Sequence, residues 1–246
     1  MKSLNEKIRF LMRNENELKT KCTDKILLRE YCIKILGVDI CPKIIGIYDT
    51  LNENDWILFP DEFVIKCNHG CKFNYLVKNK KEENFLNIKN KFDEYLKIDF
   101  SQKHNEIQYK NINRKIFIEE YIPNVIDYKI SCFNGKPLLV EVFKKRDNLR
   151  DNLFCNTYDI YFNEVKDVFK DKSDYNKIKK PDNFNDIVNY SLKLSKDFDF
   201  VRVDFYHSNN RIYLSELTFS PSFGSLPFKT YEKDLQYGNY LDLKYE

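Results

Sequence analysis

Several groups of residues in this sequence have the types and spacing to do chemistry, and the densest lies near the end. In FDFVRVDFYHSNNRIYLSELTFSP, residues 198–221, two apolar runs flank the polar Ser208-Asn209-Asn210, the pattern of a β-hairpin. Side chains alternate along a strand, so Arg202, Asp204 and Tyr206 share one face of the first strand, and Leu214, Glu216 and Thr218 share one face of the second. If the turn closes over Asn209 to Arg211, or if the hairpin holds a bulge, Asp204 and Glu216 lie opposite each other; a flat two-residue turn separates them. Neighbouring carboxylates repel unless something positive sits between them. Arg202 supplies part of that charge, and a hard cation such as Mg2+ is the sharper reading. The plainer one is a surface hairpin with solvated acids.

A second group is Lys66, which leaves the apolar run EFVI and enters the turn Cys67-Asn68-His69-Gly70-Cys71. A lysine followed by a glycine-containing turn can clamp phosphate, the ammonium supplying charge and the backbone N–H groups oriented donors. Cys67, His69 and Cys71 also suggest a metal, but no second ligand pair follows. In a third group, Glu119-Glu120-Tyr121-Ile122-Pro123 ends an apolar strand, where backbone can meet a planar base and a carboxylate can meet ribose hydroxyls; Asp127 is a further candidate for the sugar.

The elements that must carry these groups follow from periodicity. Helices are expected over 4–13, from Thr23 or Asp24 to Gly37, over 83–98 and over 184–196. Strands are expected at KIIGIYDT, EFVIKC and KIFIEEYIP, with a hairpin turning at Asn134-Gly135, while Asn52 to Asp55 and the charged run 147–183 read as loops. Hairpin-like connections favour an α+β protein with antiparallel sheets. Neither GxGxxG nor GxxxxGK[ST] occurs, which argues against Rossmann and P-loop sites.

The 246 residues carry a net charge of +3, with lysines and acids interleaved, so nucleic acid is not an expected partner. Seven cysteines without a CxxC pair fit reduced thiols in a cytoplasm. The opening MKSLNEKIRFLMRNENELKTK is amphipathic and charged, unlike a signal peptide or membrane span; peripheral association with a membrane remains compatible with it.

Five stretches in order, DKILLREYCIKILG, LFPDEFVIKCNHG, IFIEEYIP, IDYKISCFNGKP and FVRVDFYHSNNRIYLSELTFSPSFG, resemble the TupA-like branch of the ATP-grasp superfamily, associated with teichuronopeptide and capsular polysaccharide synthesis. The resemblance spans about Asp24 to Gly238. It implies an ATP-grasp fold in which two lobes with antiparallel sheets enclose a nucleotide cleft. The whole of 1–246 would be one ATP-grasp unit: helices and a first strand over 1–50, a smaller ATP-clamping lobe over 51–123, and a larger lobe with the metal-binding hairpin over 124–246. Lys25 and Lys66 would be the nucleotide lysines, with His69 and Gly70 in the phosphate-covering turn. Glu119, Glu120, Tyr121 and Ile122 would meet adenine, and Asp127 the ribose. Asp204, Glu216 and Thr218 would hold Mg2+, Arg202 would act on developing charge, and Lys129 and Arg146 would contact phosphate or a substrate carboxylate.

The implied activity is amide formation from a carboxylate, an amine and ATP. Phosphoryl transfer to a hydroxyl and a non-catalytic nucleotide-binding module are the alternatives. The sequence departs from the pattern at Thr218, where many such ligases carry Asn, and at Cys71-Lys72, where the turn is commonly richer in glycine or serine. Substrate contacts are expected from 147–182 and from 223–240.

Overall fold

The computed structural model describes residues 2–145, 153–170 and 178–243. In chain order the elements are α1 (Leu4–Leu11), α2 (Glu17–Thr23), α3 (Leu28–Leu36), β1 (Ile44–Tyr48), α4 (Glu53–Leu58), β2 (Phe63–Cys67), β3 (Asn74–Val77), α5 (Phe85–Lys97), α6 (Phe100–His104), β4 (Ile116–Glu120), β5 (Ile126–Phe133), β6 (Lys136–Lys145), β7 (Leu153–Tyr158), α7 (Phe184–Ser195), β8 (Phe200–Ser208), β9 (Arg211–Thr218) and α8 (Tyr231–Gly238). The strands form two antiparallel sheets. One has the order β1-β4-β2-β3 and the other β7-β6-β5-β8-β9. The protein is therefore α+β, with hairpins making most connections.

Local signals explain most boundaries. Ser3 and Glu6 form a reciprocal capping box at the start of α1, and Gly37 ends α3 in the left-handed region at φ 76°. Three expectations need correction. The helix expected from Thr23 or Asp24 starts at Leu28, because the Asp24 carboxylate accepts the Ile26 and Leu27 N–H groups and folds a turn there. Ahead of it, Asn16 caps a separate α2. Asn52 opens a helix rather than a loop, its side chain accepting the Asp55 N–H. The run 147–183 contains β7 and the start of the approach to α7; its residues 147–152 and 171–177 lie outside those described.

Each sheet has its own core. Under the four-stranded sheet, Phe63, Ile65, Ile116 and Ile118 pack on Ile88 and Phe92 of α5 and on an aromatic cluster of Trp56, Phe59 and Phe85. One face of the five-stranded sheet, with Tyr128, Ile130, Val201, Val203 and Phe205, packs on α3 and α7. Truncating a fully buried aromatic there, such as Phe205 to alanine, costs about 3–5 kcal/mol. The alternation that sends Val201, Val203 and Phe205 into this core sends Arg202, Asp204 and Tyr206 to the opposite face. That opposite face meets the small sheet across a cleft.

Candidate active site

The hairpin of β8 and β9 combines two devices. Ser208 pairs with Arg211, so the turn has only Asn209 and Asn210, both left-handed at φ 49° and 59°. The register then shifts between Asp204 and Phe205: Phe205 pairs with Leu214, Ser215 is the extra residue, and Asp204 pairs with Glu216. The bulge thus restores the pairing that a flat two-residue turn would have lost. The same arithmetic recurs in the β5–β6 hairpin, where Asn134 and Gly135 make a two-residue left-handed turn and a shift next to Ser131 sets Lys129 opposite Glu141. Lys129 also pairs with Asp204. Four strands therefore align Glu141, Lys129, Asp204 and Glu216 in one row on the cleft face.

The charges in this row are closely coupled. Arg202 grips Asp204 with two hydrogen bonds, Nε to Oδ1 at 2.7 Å and Nη2 to Oδ2 at 2.6 Å. Lys129 Nζ donates to the same Oδ2 at 3.2 Å. The Thr218 hydroxyl donates to Glu216 Oε1 at 2.6 Å, and Arg202 Nη2 and Lys25 Nζ each lie 3.9 Å from that carboxylate. Burial would raise the Glu216 pKa, but Lys25, Lys129, Thr218 and Arg202 outweigh it and draw the group down to about 2. For Lys129 and Arg202, burial works against the charged form, but Asp204 together with Asp127 and Glu216 for the lysine, and with Glu141 and Glu216 for the arginine, outweighs it, so both are raised.

Two lysines enter from the other side. Lys66 leaves β2 to pair with Glu119 of the neighbouring strand β4, and its ammonium lies 5.6 Å from the Tyr206 ring centroid. Lys25 sits in the turn between α2 and α3, and its Nζ donates to the Gly70 carbonyl at 2.8 Å. The turn after β2 is tied to Lys25 from below as well. Asn68 donates to the Asp24 carboxylate and accepts from the Lys115 N–H, while its carbonyl accepts the Lys25 N–H. A Cβ on Gly70 would meet the Phe73 ring at 2.6 Å, so this close approach needs a glycine.

Lys25, Lys66, Gly70, Asp127, Lys129, Asp204 and Glu216 all line one cavity of about 200 Å3, with Lys72, Tyr206 and Ser215. Arg202 and Thr218 join it through the hydrogen bonds above. Beside it, a crevice of about 10 Å3 is bounded by Cys41, Pro42, Lys66, Phe117, Glu119 and Leu214. Other residues stand differently. His69 turns into the core of the small sheet, its Nε2 3.1 Å from the Tyr95 carbonyl and its ring against Phe73. Burial drops its pKa to about 4, so it is neutral near pH 7. Glu120 accepts the Lys43 N–H, and Tyr121 and Ile122, just past β4, are partly exposed and line neither space. Arg146 lies outside the described residues.

Sequence reasoning missed Glu141, which is 7% exposed, has its carboxyl pKa raised by burial, and faces Lys129 and Arg202. Its signal was an acid between Val140 and Val142 in an otherwise apolar run. A larger cavity, about 590 Å3, lies away from this chemistry between α2 and residues 107–113. None of the cleft lysines lines it, so its size does not make it the reaction site.

Residues 6–242 match the family described as TupA-like ATPgrasp. The chain belongs to that family. Solved ATP-grasp structures share the fold. The D-alanine–D-alanine ligase from Bacillus anthracis complexed with ATP superposes with a TM-score of 0.53 at 17% identity, over 89% of this chain and 61% of that one. The L-amino acid ligase from Bacillus licheniformis gives a TM-score of 0.56 at 12% identity, over 90% of this chain and 49% of that one. The TupA-like chain thus spans roughly half to three fifths of these ligases. No curated protein matches it.

Proposed function

We propose that this TupA-like ATP-grasp protein is an ATP- and Mg2+-dependent ligase that joins a carboxylate to an amine through an acyl phosphate, within the cytoplasm, in the assembly of capsule or another surface polysaccharide. The observation that carries the reading is the convergence of Lys25, Lys66, Lys129 and Arg202 on the paired acids Asp204 and Glu216 in one cleft. Four lysines and three carboxylates line that cavity, an arrangement suited to a polyanion bound together with a dication.

The donor set fits Mg2+, which takes oxygen ligands, commonly one or two carboxylates with substrate phosphates. Glu216 is ionised and partly open to the cleft, Asp204 is its direct cross-strand partner, and Thr218 adds a neutral oxygen. When bound, the ion would neutralise phosphate charge and orient the transferring group. Lys25 and Lys66 then offset charge as the γ-phosphoryl group passes to a carboxylate oxygen, releasing ADP. Arg202 faces the acyl phosphate and the oxyanion formed when the amine attacks; phosphate leaves and the amide remains. Lys129 holds Asp204 in place between these cations. Glu119, Glu120, Tyr121, Ile122 and Asp127 serve the adenosine. No step requires an enzyme nucleophile.

The test is an ADP-release screen of carboxylate and amine pairs, uronic acids with amino acids among them, repeated with hydroxylamine in place of the amine. A hydroxamate is expected, because only an activated acyl group yields one. ADP formed without hydroxamate would favour phosphoryl transfer to a hydroxyl, and ATP binding with no turnover would favour a non-catalytic module. Asp204→Asn should abolish ADP release at saturating substrate; unchanged turnover removes the metal assignment.

A further inference from the structure

Outside the catalytic row, Cys32, Asp39 and Cys41 bring two sulfur atoms and a carboxylate oxygen within 4.8 Å of one another. The local fold makes this convergence. Cys32 is on the buried side of α3, Gly37 reverses the chain at the end of that helix, and the Asp39 carboxylate accepts the Cys41 N–H at 2.9 Å, bending 39–41 back over α3. Arg29 holds the other Asp39 oxygen and the Pro42 carbonyl. We propose that Cys32, Cys41 and Asp39 form a zinc(II) site, with solvent as the fourth ligand.

Thiolate with carboxylate is a donor set that favours zinc over Mg2+, so this site is distinct in chemistry from the Asp204–Glu216 pair. Tetrahedral zinc, with bonds of about 2.0–2.3 Å, sets its ligand atoms roughly 3.5–3.8 Å apart, so the three groups need to close by only about 1 Å. Cys32 and Cys41 each give up a proton on binding, and the two thiolates and one carboxylate leave the centre with a single negative charge. The Arg29 guanidinium, in contact with Asp39, offsets that charge and fixes the carboxylate. Asp39 is exposed, which leaves room for the solvent ligand.

The position gives the site a consequence. The Ile40 carbonyl accepts the Leu214 N–H of β9 at 2.9 Å, while Lys43 exchanges hydrogen bonds with Glu120 of β4. Residues 38–43 therefore strap the large sheet to the small one beside Glu119, and zinc would anchor this strap to α3.

The test is anaerobic zinc titration of the reduced full-length protein against a chromogenic chelator, with Co2+ as a spectroscopic probe. One zinc per chain is expected, with thiolate-to-cobalt charge transfer. Cys41→Ser and Asp39→Asn should each weaken zinc at least about tenfold, and Cys71→Ser should leave it unchanged. Cys41 and Asp39 lie in a partly exposed bend, so these variants answer the question even if Cys32→Ser fails to fold. The proposal is overturned if no stoichiometric zinc binds, if C41S binds it as tightly as the native chain, if C71S loses it, or if the pair is found only as a disulfide.

Discussion

The two ends of the cleft differ in how they are built. At the Asp204–Glu216 end, a cavity of about 200 Å3 has one wall, with Asp127, Lys129, Asp204, Tyr206 and Glu216, placed by strand register within one sheet, while Lys25, Lys66 and Gly70 close it from the other side. At the Glu119 end, the crevice is about 10 Å3 and its walls come from both sheets, from the 41–42 strap and from the buried Lys66–Glu119 pair. Register fixes the acids of the first end relative to one another. The second depends on how the sheets approach each other, and its central charges are already spent on one another. The acids at one end are therefore expected to govern turnover, and those at the other to govern stability.

The sharpest way to break this contrast is Glu216→Gln. Glu216 is partly open, and Arg202 and Lys129 keep their hydrogen bonds to Asp204 without it, so the fold should persist, while ADP release should fall by about 100- to 1,000-fold. Native turnover with an unchanged melting temperature would show that the row is not catalytic. At the other end, Lys66→Met leaves Glu119 as an unpaired charge with only 8% of its side chain exposed. It should cost about 3–5 kcal/mol in denaturant unfolding. The double variant K66M/E119Q should recover most of that loss without recovering ATP affinity. If K66M is as stable as the native chain, the pair does not hold this end together.

Acid should separate the regions too. His69, in the turn that follows Lys66, is held neutral, its pKa lowered from the ordinary 6.5 to about 4 chiefly by burial. The unfolded chain takes up that proton first, so the His69 contribution is complete above pH 6.5 and is lost as pH falls towards 4, about 3 kcal/mol in all. Glu216, lowered from 4.5 to about 2, contributes stability above pH 4.5 that is lost only as pH falls towards 2. Buried Glu106, raised to about 7 by desolvation, titrates in the opposite sense over the upper window. The His69 share is accordingly read as the difference between the native chain and His69→Gln in urea unfolding at pH 7 and pH 4.5. Equal slopes for the two proteins would contradict a neutral, structural His69.

These differences also explain what was legible in the sequence. Arg202, Asp204 and Tyr206 sharing a face followed from alternation alone, and the need for a bulge or a longer turn followed from requiring Asp204 and Glu216 to meet. Which device was used did not, because Asn209-Asn210 fits a two-residue turn while nothing about Ser215 marks it as the extra residue. Glu141 was hidden for the same reason: without the shift next to Ser131, counting from Asn134-Gly135 sets Val140, not Glu141, opposite Lys129. His69 was read towards phosphate because its turn sits beside Lys66, whereas its inward direction is set by Tyr95 and Phe73, on other elements. The family motifs identified the fold across nearly the whole chain, but motifs carry order, and the Glu119 end is a matter of the distance between sheets.

The smallest effect tests the register itself. Asn209 and Asn210 hold positive φ in the turn that fixes where β9 begins its pairing, a conformation asparagine tolerates and β-branched residues resist. Asn210→Gly should change stability by no more than about 0.5 kcal/mol, because glycine adopts φ 59° without strain. Asn210→Val should cost about 1–2 kcal/mol. Since six paired positions, from Arg202–Thr218 to His207–Ile212, hold the hairpin besides Ser208–Arg211, the valine variant should keep its register and lose stability without a matching loss of turnover. A variant that folds as stably as the native chain yet loses ADP release would instead mean that the turn alone sets the Asp204–Glu216 pairing, with the bulge following from it.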